Sequence, residues 1–380
     1  MRGLIGDVLA EGGVEVVGEA ADGSDAVRVV AEHRPDVVTM DLEMPEMNGI
    51  DAVEAVMAEV PTPILMLSAH TEDGAEVTFE ALDRGAVDFF TKPGGEISTG
   101  VSRRKAQLVE KVREVATADV STPLARSSAG VDGPSGSRAG PGGRRTPAVG
   151  SSSPAGPTDG GGTDTRQAGS ASVSNSTAGP TTDAYVANPT LVVGASTGGP
   201  NAVERVLSEL PRAADFRVLV VQHMPAAFTR RFAERLDAKS DYDVYEATDG
   251  ARIGGGEALV AEGDTNTLVS GYANGRLRVR LTDEDYDKGV QPSVDVTMES
   301  AAEAVTGPLV GAVLTGMGAD GAAGIRAMSR AGGHTLAESE ESATIYGMPK
   351  RAIATGAVDD VRPIDAVASG ICDAVRDGTR

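Results

Sequence analysis

The chain has 380 residues, more than one ordinary domain needs and suited to two domains and a tether. It carries 56 acidic against 34 basic residues, a formal net charge of -22 and a pI near 4.6. That field repels phosphate and argues against a nucleic-acid partner, since no basic patch offsets it. The longest apolar runs, Val218–Val221 and Leu309–Leu314, are strand-sized, no signal peptide is visible and Cys372 has no internal disulfide partner, so a soluble cytoplasmic protein without membrane insertion is expected.

Lysine occurs only at Lys92, Lys105, Lys111, Lys239, Lys288 and Lys350, leaving arginine to supply most positive charge. Acidic surfaces of this kind suit a halophile's protein, kept soluble where concentrated salt screens its self-repulsion. Withdrawal of salt is expected to lower activity.

In chain order, Leu4, Ile5, Val8 and Leu9 share one helical face within Arg2–Ala10. Val14–Gly18 reads as a strand, Ser24–Glu32 as a helix, and Val37–Met40 as a strand ending at Asp41. Asp51–Glu59 is helical, Pro63–Leu67 a strand, Glu72–Arg84 a helix, Val87–Phe90 a strand and Arg103–Val115 a helix. This alternation specifies a parallel sheet covered by helices over residues 1–118. From 119 to 186, Gly, Ser, Pro, Thr and Ala dominate without hydrophobic period, the composition of a disordered linker in which Arg138, Arg144 and Arg145 are solvated charge.

Alternation resumes over 187–380. Thr190–Val193, Arg217–Gln222, Asp243–Ala247, Glu257–Ala261, Leu309–Leu314 and Gly333–Ala337 read as strands. Pro200–Leu210, Phe228–Lys239, Val294–Val305 and Ala322–Arg330 read as helices, and Thr267–Val269 with Arg276–Leu281 flank the turn Ala273-Asn274-Gly275 as a hairpin. The fold class is α/β, with a larger, doubly wound sheet in this second part.

Three polar residues follow strands of that sheet: Ser196, His223 and Asp320. Open α/β sheets bind ligands at the carboxyl ends of their strands, so a hydroxyl, an imidazole and a carboxylate converge on one rim. Ester hydrolysis at neutral pH needs such a set: a nucleophile, a base and an acid to orient the base. Gly194-Ala195-Ser196-Thr197-Gly198-Gly199-Pro200 is a tight strand-to-helix turn that sets Ser196 at a helix N-terminus. Gly316-Met317-Gly318-Ala319-Asp320-Gly321 offers further N–H groups for an oxyanion. Taken singly, the glycine turn also suits a nucleotide, His223 a structural histidine and Asp320 a turn; the three together favour the hydrolase. His33, His70 and His334 have no spacing that suggests a metal site.

Gly194–Pro200, Val221–Pro225, Pro292–Val296, Leu314–Gly321 and Tyr346–Lys350 occur in the order found in chemotaxis protein-glutamate methylesterases of the CheB type, and the resemblance covers most of Pro189–Asp373. It implies hydrolysis of glutamate γ-methyl esters on chemoreceptors, with deamidation of receptor glutamines as a second activity. It also implies Ser196 as nucleophile, His223 as general base, Asp320 as orienting acid, the Met317 N–H as oxyanion donor, Thr197 and Met224 lining the site, and no cofactor for the esterase. Val290-Gln291 stands where the family often has His before its Pro-Ser-Val-Asp, and Asp264–Thr267 lacks a histidine frequent in that loop.

The first part resembles the flavodoxin-like receiver domain of response regulators. The resemblance implies Asp41 as phosphoacceptor, Ser68 and Lys92 as the switch residues that meet the phosphoryl group, Mg²⁺ at Asp41 and a chemotaxis histidine kinase as phosphodonor. The receiver would cover the esterase site until phosphorylated. This chain begins at the first helix, without the central first strand and its acidic pair, so the Mg²⁺ site is incomplete. A natural start upstream of Met1 is expected. Two rival readings stand beside this one. A non-enzymatic adaptor is opposed by the complete Ser196, His223 and Asp320 set. A nucleotide-dependent oxidoreductase is opposed by Gln222-His223 where a ribose-binding acid belongs.

Overall fold

The computed structural model describes residues 2–68, 72–92, 100–120 and 185–376. The described residues on either side of the tether fall in one compact unit, and residues 130–182, with Arg138, Arg144 and Arg145, lie outside the described residues. Among the described residues no helix is long and apolar enough to cross a membrane.

In the N-terminal region the chain forms α1 (Arg2–Glu11), α2 (Gly23–His33), β1 (Val38–Asp41), α3 (Gly49–Glu59), β2 (Ile64–Ser68), α4 (Glu72–Asp83), β3 (Asp88–Thr91) and α5 (Gly100–Val115). The helices start where short polar side chains cap them: Asp22 accepts from Asp25 N at 2.9 Å and Asn48 from Asp51 N at 2.9 Å. β1, β2 and β3 form a parallel sheet in that order, with Ile64, Leu65 and Met66 fully buried. A strand in chain order with crossover helices places Asp41, Ser68 and the residue after Thr91 at one edge.

The expected strand Val14–Gly18 does not form. Those residues take up no regular structure, since a strand needs a partner, and Val16 and Val17 are exposed. Between this segment and β1 lies a cavity of about 530 Å³, lined by Leu9, Val14, Val30, Met40 and Leu67 among others. β1 therefore pairs on one side only, with β2.

The C-terminal region comprises β4 (Thr190–Ala195), α6 (Gly199–Glu209), β5 (Arg217–Gln222), α7 (Ala226–Lys239), β6 (Asp243–Glu246), β7 (Arg252–Ile253), β8 (Glu257–Val260), β9 (Asn266–Ala273), β10 (Arg276–Thr282), α8 (Val294–Ala304), β11 (Leu309–Val313), α9 (Ala322–Arg330), β12 (His334–Glu338), α10 (Met348–Ala354), β13 (Asp360–Arg362) and α11 (Ile364–Asp373). Seven parallel strands run in the order β13-β12-β11-β4-β5-β8-β6. The chain leaves β4 toward β5 and later returns on its other side at β11, so the sheet is doubly wound and its switch point lies beside β4. β4, β5 and β11 are buried along their whole lengths, as strands covered on both faces must be.

β7, β10 and β9 form a separate antiparallel sheet. The expected hairpin is its β9–β10 pair, turning through Asn274 at φ 52° and Gly275 at φ 72°, the two left-handed residues a type I′ turn requires. The short β7, α10, β13 and α11 were not anticipated.

The two regions meet through aromatic rings. Phe89 stacks on Phe228 with centroids 4.3 Å apart, and Phe79 stacks on Phe232 at 5.8 Å. Beside them Arg235 of α7 donates to Asp83 of α4 and to Glu204 of α6, and Asn201 donates to the Leu82 carbonyl at 3.2 Å.

Candidate active site

Ser196 follows β4 directly and is 7 % exposed. Its N–H donates to the Thr315 carbonyl at 3.0 Å and its carbonyl accepts from Gly199 N at 2.8 Å, closing the turn that starts α6. Gly198 sits at φ 74° against Thr344, where a side chain would be strained and would collide. Gly316 presses equally close: a Cβ there would lie 2.7 Å from Ser196 Cβ and 2.5 Å from Met348 Sδ. The hydroxyl thus sits between the N-terminus of α6 and the loop after β11, at the switch point of the sheet.

His223 follows β5, and its Nε2 lies 2.8 Å from Asp320 Oδ2. It is Nε2, not Nδ1, that faces the carboxylate, the reverse of the serine-protease template. Asp320 is held from several sides. Oδ1 accepts from Ser293 Oγ at 2.9 Å, Asp295 N at 2.9 Å and Gly321 N at 3.1 Å, while Oδ2 also accepts from Val294 N at 2.7 Å. Burial works to raise its pKa, but the His223 bond and the N–H groups of Asp295 and Val294 outweigh it and hold the carboxyl below its ordinary value. The N-terminus of α8 therefore fixes the carboxylate that fixes the imidazole.

Several residues of this site were not foreseen. Ser293, inside the Pro292–Val296 motif, caps α8 and donates to Asp320. Gln222, inside Val221–Pro225, donates to the Ser196 carbonyl at 2.7 Å. Thr315 accepts from Ser196 N through its carbonyl and donates to the Thr197 carbonyl through Oγ1 at 2.8 Å. The motifs marked where these residues lie, but their partners come from loops brought together only by the fold.

Met317 stands at the rim, 43 % exposed, and its N–H is donated to no described group. Met224 is buried beneath the site, and Thr197 is fully buried. Thr197 Oγ1 accepts from Lys111 Nζ at 2.6 Å and donates to Glu114 Oε1, both on α5. Lys111 also reaches Asp88 at 2.8 Å. Burial opposes the Lys111 charge, yet Asp88 and Glu114 hold its pKa above the ordinary value. Burial pushes the Glu114 carboxyl up against the pull of Lys111 and Thr197.

Residues 191–371 match the family described as CheB methylesterase, and residues 1–98 match the response regulator receiver domain. A protein-glutamate methylesterase/protein-glutamine glutaminase of Haloarcula marismortui is 57% identical over 375 residues, covering 99% of this chain and 95% of its own. A relative of the same name in Natronomonas pharaonis is 52% identical over the same shares of both chains. The chain belongs to the CheB methylesterase family. Both relatives come from halophilic archaea. Among solved structures, the CheB methylesterase catalytic domain of Thermotoga maritima is 35% identical, covering 50% of this chain and 100% of its own at a TM-score of 0.48.

In the receiver of this CheB-family chain, Asp41 ends β1 and Lys92 follows β3, with Nζ 2.6 Å from Asp41 Oδ1. Ser68 ends β2, fully buried, and its hydroxyl accepts from Thr78 Oγ1 at 2.8 Å. The structure thus gathers the three expected receiver residues. It does not gather a donor set for Mg²⁺. Among the described residues no three His, Cys, Asp or Glu side chains cluster as metal ligands, and an ammonium already occupies Asp41 Oδ1. The residues present do not fit the ion. His334 Nε2 lies 3.3 Å from Asp360 Oδ2, at the start of β12, and His70 lies outside the described residues.

Proposed function

We propose that the chain hydrolyses glutamate γ-methyl esters on chemoreceptors in the cytoplasm by a Ser-His-Asp mechanism, with residues 187–380 as the catalytic domain and 1–118 as the receiver. The observation that carries this reading is the 2.8 Å bond between His223 Nε2 and Asp320 Oδ2, at the strand end beside Ser196. Asp320 keeps the proton on Nε2, which leaves Nδ1 as a neutral base. Nδ1 takes the Ser196 proton as Oγ attacks the ester carbonyl. The Met317 N–H and the free end of α6 face the oxyanion that develops. The imidazolium then protonates the leaving methanol, and water, deprotonated by His223, releases the glutamate carboxylate and restores Ser196. Deamidation of a receptor glutamine runs through the same acyl-enzyme, with ammonia in place of methanol.

The receiver reading rests on the trio Asp41, Ser68 and Lys92, and on α5, which brings Lys111 and Glu114 against Thr197. A segment this close to the nucleophile limits access, and phosphorylation at Asp41 by a chemotaxis histidine kinase would release it. Regulation of this kind suits an enzyme of chemotactic adaptation.

The deciding experiment is methanol release from methylated receptor cytoplasmic domains in high salt, comparing the chain with Ser196→Ala. Release by the parent and none by the variant supports the reading. Equal release by both would remove Ser196 from the chemistry. Silence of the parent and of residues 187–380 alone would favour the adaptor.

A further inference from the structure

Glu338 is a carboxyl side chain in the esterase core that the reaction does not use. It ends β12, is 1 % exposed, and makes no salt bridge among the described residues. Oε2 accepts from Thr315 N at 2.8 Å and Oε1 from Ser342 Oγ at 3.0 Å, and Ser342 Oγ in turn accepts from Ile364 N at 2.9 Å. Thr315 is the residue that touches the nucleophile turn twice. Its carbonyl takes the Ser196 N–H, and its Oγ1 donates to the Thr197 carbonyl while accepting from Ile345 N at 2.9 Å. The next peptide leads to Gly316, packed on Ser196, and to Met317.

We propose that Glu338 is a positioning residue of the esterase, whose carboxylate holds the Thr315 peptide and through it the nucleophile turn and the Met317 N–H. This rests on the serine-hydrolase reading above. A carboxylate in a buried site without a counter-charge is costly, and a core that needed only an acceptor there would be satisfied by a neutral side chain. What the charge adds is strength, because an ionised acceptor bonds an N–H about twice as firmly as a neutral one.

The ionisation of Glu338 then enters turnover. Burial pushes its pKa up to about 7, against the Thr315 and Ser342 bonds that favour the carboxylate. The charged groups around it leave it alone. Arg362, its register partner on β13, turns to Asp360 at 3.3 Å. Glu340 and Glu341 on the following loop, Lys350 and Arg351 on α10, and Asp365 on α11 are exposed, and β11 carries no charged residue. As pH falls, Glu338 gains a proton and the grip on Thr315 weakens, so the rate falls with it.

The test is the pH profile of methanol release by the full chain and by Glu338→Gln, with melting temperature measured in parallel. The glutamine keeps the acceptor for Thr315 and can donate to Ser342, but it carries no charge. At pH 8 to 9 the variant is expected to show kcat lower by about five-fold with KM unchanged. Its melting temperature should equal or exceed the parent's, which a merely structural role would not combine with slower turnover. The parent's acid limb should carry an ionisation that the variant's lacks, that of Glu338. If Glu338→Gln matches the parent in kcat and in acid limb, Glu338 does not position the site. Should Ser196→Ala still release methanol, the underlying reading fails instead.

Discussion

Lys111 Nζ on α5 donates to Thr197 Oγ1 at 2.6 Å, one residue from Ser196. Glu114 accepts from the same hydroxyl, so α5 grips the turn that carries Ser196 with a donor and an acceptor together. Replacing Lys111 by Met keeps the length of the side chain and removes the ammonium. Loss of a charged hydrogen bond costs about 1.5–3 kcal/mol. Basal methanol release should therefore rise roughly ten-fold, provided the covered state dominates. An unchanged basal rate would separate this contact from access to the site.

Ser196→Ala, His223→Gln and Asp320→Asn should each lower kcat by about 10⁴-fold or more, and a double variant of any two should lose little further, since the three act as a unit. Additive losses in steady-state methanol release would argue against a shared step. Ser293→Ala, which removes one donor to Asp320 and leaves three backbone N–H groups in place, is expected to cost only about ten-fold.

Gly316→Ala is expected to slow turnover by about 100-fold with the fold intact, because a Cβ there lies 2.7 Å from Ser196 Cβ and moves the hydroxyl rather than the sheet. Circular dichroism would establish the fold and methanol release the loss. Near-parental turnover would mean that the turn yields without displacing its oxygen.

Two buried carboxyls give opposite pH signatures. Asp320 is held below its ordinary value, so its contribution to stability is present at neutral pH and is lost as pH falls through the folded value. Glu338 is raised from 4.5 to about 7, so it favours the fold at low pH and withdraws that support as pH rises through about 7. A shift of that size corresponds to about 3 kcal/mol. Denaturation between pH 5 and 9 should accordingly show Glu338→Gln gaining on the parent as pH rises. A constant difference across that range would contradict the assignment.

Withdrawal of salt is expected to lower activity and melting temperature together, because a net charge of -22 then repels itself unscreened. Full activity in dilute buffer would show the acidic surface to be incidental.

Much of this was legible in the chain before folding. Strands such as Arg217–Gln222 and helices such as Ala322–Arg330 match their expected bounds, since a buried strand and an amphipathic helix announce themselves by period. Ser196, His223 and Asp320 could be named because each follows a strand or glycine loop, a position that topology alone converts into proximity. Ser293, Gln222 and Thr315 could not, because their roles depend on which loops meet. Glu338 lies one residue past the expected strand Gly333–Ala337, and no motif marks it. Val14–Gly18 shows the converse: its residues have strand character, yet hydrogen bonds need a neighbour, and the space toward β1 holds none.

Four of the six phenylalanines of the chain, Phe79, Phe89, Phe228 and Phe232, lie together where receiver meets esterase. At 1 M salt the reach of a charge shrinks to about 3 Å, and a latch made only of exposed ion pairs would loosen. Stacked rings do not depend on that reach. The contact between the two regions, which also holds Arg235 against Asp83 and Lys111 against Thr197, therefore keeps its apolar part whatever the ionic strength.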